Sequence, residues 1–188
     1  MKTQRSNRLP TVAGLFAVSL LAACGTMSTK SMAYSQANLP ASIQVPAGNK
    51  VAWETVGVGE ITYECRAKAD MKSQTEWVFA GPKAVLNDRQ GKQVGTYYGP
   101  PATWEALDGS KVTATQLAVA PAGNGNLPYQ LVKANPAMGA GAMTGVTYIQ
   151  RVALKGGVAP QQMPCTPATV GQKTQVPYQA DYIFWKAN

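Results

Sequence analysis

From residue 39 onward, hydrophobic and polar residues alternate along short segments, which is the pattern of half-buried β-strands. In residues 61–66 every second residue is apolar, and Trp77 and Phe79 stand two apart in a similar segment that Gly81-Pro82 is expected to end. The pattern predicts strands at residues 50–55, 61–66, 77–80, 84–86, 93–98, 103–107, 111–120, 129–134, 146–154 and 176–185.

Turn residues separate these segments at the spacing of an all-β domain, with glycine or proline about every 8 to 12 residues. Residues 87–91 have the composition of a turn, and Asp108-Gly109 is a strong hairpin signal. Beyond the first 23 residues, no helix-length window keeps a 3.6-residue hydrophobic period. The sequence therefore predicts a single all-β domain with long loops, an antiparallel sandwich being favoured over a barrel.

The first 24 residues have the layout of a secretory leader that ends in a lipid-attachment site. Lys2, Arg5 and Arg8 form a positive segment, and residues 12–23 form an apolar run too short for the roughly 20 residues that span a bilayer. The Leu-Ala-Ala-Cys ending at Cys24 resembles the lipobox of bacterial lipoproteins. That resemblance implies cleavage before Cys24 and its acylation, and several acyl chains on one residue give a durable membrane anchor.

The predicted domain organisation follows from this leader. Residues 1–23 are the signal peptide, residues 24–38 are the lipidated cysteine with a small, polar tether, and residues 39–188 are the β-domain. The residue after Cys24 is Gly25 rather than aspartate, which resembles outer-membrane sorting. The predicted location is the periplasmic face of the outer membrane, with the membrane as a partner through the anchor.

Charge and composition remove several classes of function. The chain has 17 Lys and Arg, nine Asp and Glu, and no histidine. The basic residues are dispersed, so a nucleic-acid partner is not expected. The absence of histidine excludes Ser-His-Asp and Cys-His catalysis and zinc sites built on imidazole. No metal site and no cofactor is predicted.

Two cysteines remain beside Cys24. In an oxidising compartment, Cys65 and Cys165 are expected to form a disulfide, the alternative being two buried thiols. The bridge would close a loop of 100 residues, for which the chain-entropy model gives a stabilisation of about 4 to 5 kcal/mol.

A family resemblance rests on eight segments in a specific order, at residues 63–65, 77–84, 103–106, 108–112, 148–152, 156–160, 176–178 and 180–182. These segments resemble the proteins grouped as domain of unknown function 3455, which occur in bacteria and fungi and are often exported. The resemblance covers nearly all of the predicted domain and implies no particular activity. Members usually read Thr-His-Tyr where this chain reads Thr96-Tyr97-Tyr98, so any role of that histidine would be missing here.

The stretch from residue 95 to residue 110 is the densest in candidate site residues. Aromatic rings beside carboxylates are typical of sugar-binding and glycoside-cleaving sites. The candidate ligand-binding residues are Tyr97, Tyr98, Trp104, Glu105 and Asp108. Each has a structural alternative, because aromatic residues often pack in cores and Asp-Gly often makes turns.

Arg151 lies in a predicted strand, and we expect it to form a buried ion pair with Asp181 rather than a clamp for a ligand. The leading functional hypothesis is a lipid-anchored, non-catalytic binding or structural domain of the cell envelope. The alternative is an envelope carbohydrate-binding protein or glycoside hydrolase that uses the aromatic and carboxylate residues. An envelope glycan or a protein is the expected partner.

Overall fold

The computed structural model describes residues 34–188 together with Met1 and Thr3, so the predicted leader and the lipidation of Cys24 lie outside the described residues. Two short 3-10 turns occur at Ala41–Ile43 and Pro167–Thr169. In the part of the chain described, no helix is long and apolar enough to cross a membrane. The strands are β1 (Asn49–Ala67), β2 (Thr75–Asn87), β3 (Gln93–Tyr98), β4 (Thr103–Ala106), β5 (Lys111–Ala120), β6 (Tyr129–Ala134), β7 (Val146–Gly156) and β8 (Lys173–Ala187).

All neighbouring strands are antiparallel, and the sheet closes on itself. Each strand pairs with the next along the chain, and β1 pairs with β8 over almost its whole length. The all-β, antiparallel prediction is confirmed, and the architecture is the barrel rather than the favoured sandwich. Closure pairs the backbone groups that an edge strand would leave exposed.

β1 and β2 are longer than the sequence pattern predicts. β1 continues through Gly57 and Gly59, and β2 continues through Gly81-Pro82, where a strand end was expected. A Cβ at Gly59 would overlap a carbonyl oxygen of β2, and a Cβ at Gly57 would lie 2.6 Å from the ring of Tyr182. These glycines therefore allow close approach inside the barrel wall instead of ending the strand.

The two ends of the barrel carry different structures: a disulfide lies at one end and an inserted loop at the other. β1, β3, β5 and β7 finish at one end, where the bridge between Cys65 and Cys165 also lies. At the opposite end, the loop between β6 and β7 inserts the fully buried side chain of Met143 into the interior core. The predicted disulfide is confirmed: the two Cα atoms are 5.4 Å apart, and the bridge joins β1 to the loop before β8.

A strap formed by residues 34–48 covers the outer face of the barrel around β7. The strap is joined to β7 through the side chain of Gln150, which is fully buried. The side-chain oxygen of Gln150 accepts hydrogen bonds from the Tyr34 hydroxyl at 3.1 Å and the Trp185 indole at 2.9 Å. The Gln150 amide donates to Gln36 at 3.0 Å and to the carbonyl oxygen of Ile43 at 2.7 Å. Residues 34–38, which the sequence assigned to the tether, therefore belong to the folded unit.

Candidate functional site

A cavity of about 400 Å³ opens at the barrel end that carries the disulfide. Its lining combines inward-facing side chains of β1 to β7 with the segment that leads into β6. Most of these side chains are aromatic or aliphatic, among them Tyr63, Phe79, Tyr97, Trp104, Leu127 and Val132. Enclosed apolar surface with a few polar groups is the usual form of a small-molecule site.

Two of the lining aromatic rings pack on each other and on a third ring of the interior core. Tyr97 and Trp104 are cross-strand neighbours on β3 and β4, and their rings stack with centroids 4.6 Å apart at 20°. Tyr182 of β8 meets the Trp104 ring nearly edge-on, with centroids 5.8 Å apart. Offset and edge-on pairs of this kind stabilise the packed rings by more than the burial of their apolar area alone.

The indole N–H of Trp104 differs from the other buried side-chain polar groups of the described residues, which have hydrogen-bond partners. Trp104 is 2% exposed, and among the described residues its Nε1 is buried without a hydrogen-bond partner. A buried donor left unpaired costs about 1–3 kcal/mol. A ligand acceptor reaching this nitrogen would remove that cost.

Arg151 is the only charged side chain that lines the cavity within the described part of the chain. Its Nε and Nη2 donate to the carbonyl oxygen of Pro128, at 3.3 and 3.0 Å. Arg151 pairs with Tyr182 across the β7–β8 ladder and faces inward with it. The guanidinium therefore places a positive charge against largely apolar walls.

The predicted ion pair between Arg151 and Asp181 is wrong. Asp181 is one residue from the inward-facing Tyr182, so it faces the outside of the barrel. There it accepts a hydrogen bond from Arg89 at 2.5 Å, and Arg89 also binds Glu54 at 2.7 Å. The two predicted partners are thus separated by the barrel wall.

The interior tyrosines are held in their neutral form. Burial raises the pKa of Tyr97, Tyr178 and Tyr182 above the usual value, and the positive charge of Arg151 only partly opposes this shift. The Tyr178 and Tyr182 hydroxyls lie 3.2 Å apart, and the Tyr63 hydroxyl donates to the carbonyl oxygen of Gly157 at 2.7 Å. These phenols act as hydrogen-bonding groups at neutral pH and not as bases.

The five residues predicted to form one site are divided among three places. Tyr97 and Trp104 face the interior, whereas the Tyr98 hydroxyl donates to Glu105 at 2.6 Å on the outside of the barrel. This hydrogen bond raises the pKa of Tyr98. The alternating directions of the strands therefore separate the interior rings of Tyr97 and Trp104 from the Glu105 carboxylate on the outside.

Asp108 serves the β4–β5 turn. One carboxylate oxygen accepts hydrogen bonds from the backbone N–H and the hydroxyl of Ser110, at 2.9 and 2.6 Å, and the other accepts from the N–H of Ala142 at 2.7 Å. The Ser110 hydroxyl is the main reason that the pKa of Asp108 lies below its usual value. Of the two roles that the sequence allowed for Asp108, ligand binding and turn formation, the structure shows turn formation.

The sequence reasoning missed Tyr63 and Tyr182 as parts of the interior. Tyr63 lies in a clearly alternating segment on the same parity as Ile61, which is a sufficient signal for an inward direction. Among the described residues, no group of three or more His, Cys, Asp or Glu side chains is placed to hold a metal ion.

The fold and the cavity define a class of protein: a closed, eight-stranded antiparallel barrel with an aromatic cavity at one end. Residues 46–186 match the family model described as "Protein of unknown function (DUF3455)". The chain belongs to this family, as the eight sequence segments indicated. Searches of the curated proteins and of the solved structures found no significant match.

Proposed function

We propose that this protein is a lipid-anchored binding protein of the bacterial cell envelope, and that the barrel-end cavity is its ligand site. One observation carries the proposal: a half-open, mostly apolar cavity lined by Trp104, whose buried indole N–H lacks a partner among the described residues. Binding a small, largely apolar molecule would bury apolar surface, and an acceptor group on that molecule would satisfy the indole N–H once the Trp104 ring turned this donor toward the cavity.

Binding rather than catalysis is supported by the chemistry of the lining. Among the described residues the lining holds no carboxylate, thiol or aliphatic hydroxyl, and the whole chain has no histidine. A glycoside hydrolase would need two facing carboxylates. Glu105 instead accepts a hydrogen bond from the Tyr98 hydroxyl, and Asp108 accepts hydrogen bonds within the β4–β5 turn and from the N–H of Ala142. We therefore do not propose the hydrolase alternative.

A cavity-filling variant tests the site. Wild-type protein is expected to bind the neutral dye N-phenylnaphthylamine saturably, with increased fluorescence, because the cavity is mostly apolar. Ala114→Phe fills space in the cavity, and we expect it to weaken dye binding about tenfold or more. Thr115→Phe adds the same ring one residue away on an exposed position and should leave the affinity unchanged.

Thermal unfolding of both variants shows whether each is folded. If Ala114→Phe fails to fold, Ala102→Phe at the cavity rim replaces it in the same comparison. Equal dye affinity in the wild-type protein and a folded cavity variant would overturn the assignment of the site, as would the absence of saturable binding to the wild-type protein.

The membrane anchor has its own test. The lipobox-like ending at Cys24 supports acylation, cleavage before Cys24 and retention at the outer membrane. Cys24→Ala should abolish incorporation of labelled palmitate and leave the protein uncut or soluble, as followed by membrane fractionation. Serine at position 35, beyond the predicted attachment site, offers a control in Ser35→Ala. Palmitate incorporation that survives Cys24→Ala contradicts the anchor.

A further inference from the structure

The charged group in the barrel-end cavity is a cation that lacks a carboxylate partner among the described residues. Arg151 takes part in no ion pair there, and the cavity lining includes no Asp or Glu. A guanidinium has five N–H donors, and two hydrogen bonds of Arg151 go to the carbonyl oxygen of Pro128. The remaining donors are therefore open to an incoming acceptor.

The surroundings of Arg151 make this positive charge more effective than one on the outer surface. The neighbouring lining consists mainly of aromatic and aliphatic side chains, so a bound anion would be screened less by water than on the outer surface. The hydrogen bonds to the Pro128 carbonyl oxygen also hold the guanidinium in place before a ligand arrives. Both conditions favour charge-assisted hydrogen bonds to an oxyanion.

We propose that the ligand is a small organic acid, with one anionic head that binds Arg151 and an apolar body that fills the space beside Trp104. This inference rests on the proposed function of the cavity and adds the chemical class of the ligand. A neutral apolar molecule would occupy the cavity but leave the Arg151 donors unused. A polyanion would place more negative charge there than one cation can pair.

Naphthylacetate and naphthylacetamide, taken as the same ring isomer, form a matched pair of probes. They have the same ring and nearly the same size, and they differ in whether the head carries a negative charge. We expect the wild-type protein to bind the acid about tenfold or more tightly than the amide at neutral pH, as measured by calorimetry.

Variants of Arg151 connect that preference to the guanidinium. Arg151→Gln is expected to weaken binding of the acid about tenfold and to leave binding of the amide unchanged. Arg151→Lys should retain part of the preference, because the ammonium keeps the charge but not the fork of donors. Lys155→Gln removes an exposed positive charge from the same strand and should change neither affinity.

The possible outcomes distinguish an error about the chemical class of the ligand from an error about the cavity as a binding site. If wild-type protein binds the neutral dye but binds the acid and the amide equally, the organic-acid inference is wrong and the cavity remains a binding site. If the wild-type protein shows no saturable binding of the dye, the proposed function falls together with the inference. A folded Arg151→Gln variant that keeps the full preference for the acid also overturns the role of Arg151.

Discussion

Replacing both Cys65 and Cys165 by serine is expected to lower the free energy of unfolding by about 4 kcal/mol. The bridge closes a sequence separation of 100 residues, and it is confirmed in the structure. Without it, the unfolded chain gains the conformational freedom of that long loop, whereas the folded barrel keeps its strand pairing.

The folded state loses support as well, because the bridge holds the loop before β8 against β1. Backbone hydrogen bonds join Cys65 to Gln172 and Gly171, both at 2.9 Å, and the Thr75 hydroxyl donates to the carbonyl oxygen of Cys165 at 2.7 Å. These contacts surround the cavity end of the barrel. We therefore expect the double variant to weaken dye binding in addition to stability.

Urea unfolding in a Cys24→Ala background measures the effect, since only the two bridge cysteines then remain. Treatment of the parent protein with a reductant should reproduce most of the loss. The double serine variant itself should not respond to the reductant. Identical unfolding midpoints for the oxidised parent and the double variant would contradict the predicted stabilisation.

Gln150→Leu is expected to lower the free energy of unfolding by about 3 kcal/mol. Leucine is similar in volume but removes four hydrogen bonds that join β7 to the strap and to Trp185. The Trp185 indole and the carbonyl oxygen of Ile43 would then be buried without their partner. The loss of stability comes mainly from these buried polar groups without partners and not from a change in side-chain volume.

The strap should respond more than the barrel. Hydrogen exchange is expected to accelerate in residues 34–48, because Gln150 binds Tyr34, Gln36 and Ile43 in that segment. Gln175→Leu is the matched control: Gln175 is an exposed glutamine on β8, and its substitution should change stability by less than about 0.5 kcal/mol. A Gln150→Leu protein as stable as that control would show that the buried network contributes little.

The strands were predictable because alternation depends only on neighbours in the chain. Trp77 and Phe79, or Ile61 and Tyr63, are two residues apart, and their spacing indicates a strand wherever it lies. The same local signal failed at Gly81-Pro82, since a glycine that ends a strand and one that allows close packing look alike in sequence. The difference depends on β1, which pairs with this segment across the sheet.

The candidate site was predicted less well for a related reason. Tyr97, Tyr98, Trp104 and Glu105 were grouped because they are close in sequence, although alternation itself assigns neighbouring residues to opposite faces. Arg151 pairs with Tyr182 and Asp181 pairs with Val152, so alternation also places Arg151 and Asp181 on opposite faces of the barrel wall. Along β7 and β8 the alternation does not say which face is inward, because one face packs in the interior core and the other packs under the strap.

By itself, the sequence determined the all-β class, the family and the exclusion of histidine chemistry, because each depends on residue identity or on local periodicity, and it favoured the disulfide that the structure confirms. Only the tertiary structure decided that β8 returns to β1, that the sheet is a barrel, and that Arg151 and Trp104 line one cavity. Pairing between strands distant in sequence satisfies their backbone groups and sets the register. That register brings Arg151 and Trp104, whose indole N–H is buried without a partner among the described residues, to the same mostly apolar cavity.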